Sequence, residues 1–197
     1  MDHIRNFLTK HRKLVIFSLL FFIILPFSLT AITHKYGPYR GKVVDAESGK
    51  PIEGAAVYMV FTTKSPNPGG ATWHYAGAAE TLTDANGEFE LTYRAFVFHP
   101  FCLWEYLPLQ QIFKPGYGIF PMHKSSSITP EPDPYFIPEK QFVTIRLPKL
   151  KTKEERIENL YWIRPGPSDV PYEKRKHFNK LENQERINLG FSPLGEQ

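Results

Sequence analysis

The chain has 197 residues with 24 Lys plus Arg, 20 Asp plus Glu, 18 Pro, 13 Gly and a single cysteine. Proline at about twice its ordinary usage counts against a helical bundle and favours strands separated by turns. One cysteine, Cys102, excludes an intramolecular disulfide and an all-cysteine zinc site, so the core must hold by packing alone.

The basic excess is not on the body of the chain. Residues 1–13 carry Arg5, Lys10, Arg12 and Lys13 against Asp2, whereas residues 14–147 hold 10 basic and 11 acidic side chains. A nucleic-acid binder concentrates Lys and Arg on its folded domain, because neutralising phosphates supplies most of the affinity. That class is set aside.

Leu14 to Ile32 contains no charged residue over 19 positions. As a helix it would span about 28 Å, close to the hydrocarbon thickness of a bilayer. The basic residues before it orient the start of the chain toward the cytoplasm and send the remainder to the other side. The segment is expected to act as an uncleaved signal-anchor. Leu29-Thr30-Ala31 is a poor match to a cleavage site, but cleavage there would make the protein secreted. Residues 1–35 are therefore read as a cytoplasmic stub and membrane anchor, 36–150 as a folded domain and 151–197 as a helical extension. Cys102 lies in an apolar run, which predicts a packed rather than a reactive thiol.

In chain order, Tyr39 to Asp45 reads as a strand, and Ala46 to Pro51 as a turn. Ala55 to Thr63 is dense in β-formers, and its near-continuous apolar run suits a central sandwich strand. Residues Ser65 to Gly70 read as a loop. Glu80 to Thr83 and the alternating Phe89 and Leu91 flank Asp84-Ala85-Asn86-Gly87, a pattern that predicts a hairpin. Arg94 to Leu109 is a long aromatic insertion. Gln110 to Lys114 and Tyr117 to Met122 flank Pro115-Gly116, then a proline-rich loop from Thr129 to Pro138 precedes a last strand, Gln141 to Leu147.

Beyond Pro148 the period turns helical. Thr152 with Glu155 three residues later predicts a capping box for a helix over Lys153 to Trp162. A second, polar helix is expected from a Ser168 cap to Gly190, with Phe178, Leu181, Ile187 and Leu189 forming a narrow apolar stripe.

The blocks Gly41 to Val57 (GKVVDAESGKPIEGAAV), Thr81 to Leu91 (TLTDANGEFEL), Lys114 to Tyr117 (KPGY) and Val143 to Leu147 (VTIRL) together resemble the carboxypeptidase regulatory-like domain. The resemblance covers Tyr36 to Leu147, with longer insertions at 64–79 and 94–109 than the family usually has. It implies a mainly β fold, a seven-stranded prealbumin-like Greek-key sandwich. The shared motif contains no catalytic group, so the resemblance implies no reaction.

Two enzyme families share that general sandwich. The Gly-Lys-Val and Pro-Ile-Glu-Gly-Ala pattern is also similar to intradiol dioxygenases, which would imply iron held by tyrosines and histidines. Their His-x-His pair is missing, and His74, His99 and His123, with Tyr75, Tyr106 and Tyr117, lack a ligand spacing. The Tyr-Arg-Gly of hydroxyisourate hydrolases occurs here at the wrong end of the domain, as Tyr39-Arg40-Gly41. No nucleophile elbow, Walker loop or metalloprotease helix occurs.

The expectation is a non-catalytic domain without metal or cofactor. It would be tethered through residues 14–32 and bind an envelope protein or polymer on the periplasmic or extracellular side. Trp73, Tyr75, Phe98, Phe101, Trp104 and Tyr106 are its candidate contact residues, because aromatic rings bury a large area while freezing few rotamers.

Overall fold

A computed structural model describes residues 13–14, 16–21, 33–97, 103–105, 108–130, 133–164, 166 and 170–195. Residues 13–14 and 16–21 are helical and exposed, and the rest of the expected anchor, residues 15 and 22–32, lies outside the described residues. Among the described residues no helix is long and apolar enough to cross a membrane.

The chain from Thr33 is mainly β and forms two sheets. The first joins β1 (Thr33–Asp45), β4 (Glu88–Phe96), β7 (Ser127–Thr129) and β8 (Phe142–Leu147) in the order β4-β1-β8-β7. The second centres on β2 (Ala56–Asn67), which pairs on one side with β3 (Gly70–Leu82) and on the other with β5 (Leu103–Trp104) and β6 (Leu109–Phe113). Among the described residues the first and last strands, β1 and β8, are parallel neighbours at the centre of that sheet.

Alternation along β2 explains its unbroken apolar run. Val57, Met59 and Phe61 face the first sheet and pack with Tyr39, Val43, Leu91, Val143 and Ile145. Ala56, Tyr58 and Val60 face the other way, into a second apolar cluster with Phe113, Ile119 and Phe178. A strand covered on both faces loses the polar-out alternation of a solvated sheet.

That cover comes from the carboxy-terminal extension. Helix α1 (Lys153–Tyr161) has the full capping box: Glu155 N–H donates to Thr152 Oγ1, and Thr152 N–H donates to Glu155 Oε2. Asn159, buried, docks the helix by accepting from Ile119 N–H at 2.9 Å and donating to the Tyr117 carbonyl at 3.1 Å. A short 3-10 turn (Tyr172–Arg175) leads into helix α2 (Lys176–Asn188), which buries Phe178 against Tyr58 and Phe113. Arg156 of α1 clamps the two helices together with two bonds to Glu185 of α2, at 2.7 and 2.6 Å. The predicted Ser168 cap lies outside the described residues; α2 begins without a side-chain cap of its own.

Three expectations are corrected. The Asp84–Gly87 turn is not a hairpin: β3 pairs with β2 and β4 with β1, so the turn carries the chain from one sheet to the other. Its local chemistry is as expected, with Gly87 at φ 75° and Asp84 Oδ1 accepting from Asn86 and Glu88 N–H. A side chain at 87 would strike the Val43 carbonyl, because Val43 N–H already donates to the Gly87 carbonyl at 2.8 Å. Second, Ser65 to Gly70 is not a loop throughout: Ser65 to Asn67 continue β2 and Gly70 opens β3, so only Pro68-Gly69 turns, at the tip of a long β2–β3 ribbon. Third, Tyr117 to Met122 makes isolated bridges only, and Ser127–Thr129 supplies the strand beside β8. Cys102 lies outside the described residues.

Candidate functional site

The ribbon owes its shape to a bulge in β3. Phe61 stands opposite Gly77 and Thr62 opposite Tyr75, leaving Ala76 as the extra residue. Gly77, at φ 153°, is forced by a neighbour, since a Cβ there would fall 2.1 Å from the Tyr93 hydroxyl. The absent side chain admits the Tyr93 ring, which stacks on Phe61 at 4.9 Å with the planes 4° apart.

Past the bulge, cross-strand pairing sorts the aromatic residues by face. Lys64 pairs with Trp73 on one side and Leu103 on the other, so these three share the outer face with Tyr75. Thr63 pairs with His74 and with Trp104, which puts Trp104 on the inner face. Trp104 stacks on His34 at 5.4 Å and meets Tyr36 edge-on at 6.4 Å, and Tyr36 in turn packs on Phe61 at 4.4 Å. Trp104 is thereby tied into a file of rings that runs into the sandwich core.

The two tryptophans of the expected patch therefore lie on opposite faces. Tyr75 packs against the second cluster under the helices, and Phe98, Phe101 and Tyr106 lie outside the described residues. Trp73 is 58% exposed. Its ring is nonetheless held: its indole N–H donates to Glu105 Oε2 at 3.1 Å, and Lys64 Nζ sits 5.4 Å from the ring centroid. Glu105 is fixed as well, since its N–H donates to the Thr62 carbonyl and its own carbonyl accepts from the Tyr36 hydroxyl. The outcome is an oriented, solvent-facing indole on the outer face of the paired strands β3, β2 and β5, a geometry suited to stacking on a sugar ring or an apolar side chain.

Beneath it, the buried hydroxyls of Thr63 and Ser65 have no hydrogen-bond partner. Sequence reasoning missed Lys64, Glu105, His34 and Tyr36. The one available signal was Glu105, the sole acidic residue in the aromatic insertion from Arg94 to Leu109.

Of the histidines and tyrosines weighed for iron, His99 and Tyr106 lie outside the described residues, and the others do not converge. His74 is on the ribbon, whereas His123 follows Phe120 in a turn whose Ser125 N–H donates to its Nδ1, with burial pushing its pKa down. Tyr117 is bonded to Asp45, and burial raises its pKa. Among the described residues no three His, Cys, Asp or Glu side chains are grouped to hold a metal. Compared with known protein families, curated proteins and solved structures, the chain matches none.

Proposed function

We propose that the chain is a non-catalytic, membrane-tethered β-sandwich held outside the cytoplasm, which binds an envelope protein or polymer through its ribbon. Its mainly β, two-sheet architecture supports the sandwich part of this reading, and the seven-stranded prealbumin-like Greek key is what the carboxypeptidase regulatory-like resemblance would add to it. The uncharged stretch Leu14 to Ile32 supports the tether.

The observation that carries the binding role is Trp73. An exposed indole without partners samples several rotamers, and ordering it on binding carries a cost. This one is fixed by Glu105 and Lys64 on an outer face, so docking a partner would cost little side-chain ordering.

The test is capture by full-length protein, reconstituted in vesicles, of components from a solubilised envelope fraction. Trp73→Ala should reduce capture at least thirty-fold, since hot-spot truncation costs about 2 kcal/mol or more. The thermal transition should be unchanged. Glu105→Gln, which keeps an acceptor for the indole, should retain capture. Undiminished capture by Trp73→Ala would refute the assignment.

A further inference from the structure

The two outer faces of the sandwich differ. The helices cover the face made by β2, β3 and β6. The outer face of the β4-β1-β8-β7 sheet is exposed, and its alternation is basic and aromatic. Lys35, Arg40 and Arg94 project from it, Arg146 stands at its far end, and Phe96 and Phe142 are 64% and 52% exposed.

The charges are graded along the strands. Away from the tether, Arg40 lies directly opposite Glu90 and Lys42 opposite Glu88, pairs that neutralise each other. Toward the tether, Lys35 lies directly opposite Arg94, and Thr33 opposite Phe96. Like charges facing each other across a strand pair oppose folding, and no acidic side chain among the described residues forms an ion pair with either. An anionic surface would remove that repulsion. The pair sits two residues from the first residue of β1, which follows the uncharged stretch ending at Ile32 without an intervening linker.

We propose that this sheet face docks on an anionic bilayer, with Lys35 and Arg94 at the lipid headgroups and Phe96 and Phe142 at the interface. The proposal rests on the tether reading above, because a membrane-spanning segment ending at Ile32 brings Thr33 to the headgroup plane. Basic side chains near an anionic leaflet are attracted to it, and their stems lie along apolar material while the charge stays in water. Docking this face turns the opposite one, with Trp73, away from the membrane.

The full chain is reconstituted into phosphatidylcholine vesicles, with or without phosphatidylglycerol, and its lysines are modified with a water-soluble acylating reagent. Retention on vesicles after alkaline carbonate washing first checks the tether: loss there overturns the tether reading. In retained protein, Lys35 should react about five-fold more slowly in the anionic vesicles than in the neutral ones. Lys180, exposed on α2, should react equally in both. Protection should vanish at about 1 M salt, where the Debye length is about 3 Å. Arg94→Gln, which relieves the repulsion and removes one contact, should weaken the protection. Equal reactivity of Lys35 in both vesicles overturns the docking while leaving the tether intact. Protection that appears in both and grows with protein density assigns the face to a second copy and overturns it too.

Discussion

Gln110 and Gln111, neighbours on β6, grip backbone on opposite faces of the same sheet. Gln110 donates to the Ile137 carbonyl at 3.1 Å and accepts from Ile137 N–H at 2.6 Å, pinning the proline-rich segment to the side of the sandwich core. Gln111 accepts from Arg164 N–H at 3.0 Å and donates to the Trp162 carbonyl at 3.3 Å, pinning the end of α1 to the helical side. Both are nearly fully buried. A primary amide sets an N–H donor beside a carbonyl acceptor as the backbone does, so each glutamine replaces a strand partner for a segment that has none.

The expected consequence is a separation of effects. Gln110→Met should cost about 1–3 kcal/mol by leaving the Ile137 N–H and carbonyl buried and unpaired, and should speed amide exchange at Ile137. Gln111→Met should carry a similar cost but speed exchange at Arg164, with Ile137 still protected. Exchange measured residue by residue distinguishes the two, and loss of protection at both sites in either variant would contradict it.

The attachment of α2 gives a second expectation. Glu80, on β3, accepts from His177 N–H at 2.7 Å and from Phe178 N–H at 2.9 Å, so a sheet carboxylate serves as the cap that the helix lacks in its own sequence. It satisfies two first-turn donors and places negative charge at the positive end of the helix dipole. Glu80→Ala should lower stability by about 0.5–2 kcal/mol, with faster exchange at His177 and Phe178 before the β2 amides. Glu80→Gln keeps one acceptor without the charge and should fall between. Equal exchange at His177 in the wild type and Glu80→Ala would show that the helix start is held by Phe178 packing alone.

What could be read from the letters and what could not separates along physical lines. The Thr152–Glu155 box and the Gly87 turn are local: one residue's side chain or φ decides them, and both are present as read. The mistaken hairpin came from treating that turn as if it also chose the strand partners, which are fixed by β1 and β2 far along the chain. The ribbon was hidden because Ala71, Ala76, Gly77, Ala78 and Ala79 have weak β-preference; β3 is a strand because β2 pairs with it. The split of Trp73 from Trp104 depends on the register with Lys64 and Thr63, which no spacing along one strand reveals. The covering role of α2 was half visible, since Phe178 stood out but the outer face of β2 it covers did not.

The last expectation concerns pH. Glu182 of α2 is 7% exposed; burial raises its pKa above the ordinary glutamate value, and Arg175, 3.4 Å away, and Arg186 pull it back only in part. A carboxyl whose folded pKa lies above its unfolded one binds its proton more tightly when folded. Its charged form therefore weakens the fold at neutral pH. As the pH falls through the raised value, that penalty is relieved, and the gain is complete near the unfolded glutamate value of about 4.3. Asp45 opposes this at lower pH: Ser48 N–H donates to its carboxylate at 2.8 Å and holds its pKa below the ordinary range, so its contribution is present above about pH 4 and is lost as the pH falls further. Burial lowers the His123 pKa, so charging the unfolded imidazole below about pH 6.5 opposes this gain; with His123 replaced (His123→Gln), denaturant midpoints followed from pH 7 downward should rise slightly before they fall. In that background Glu182→Gln should abolish the rise and leave the fall, whereas Asp45→Asn should lower stability at neutral pH and flatten the fall. A Glu182→Gln variant that keeps the rise would assign it to another group.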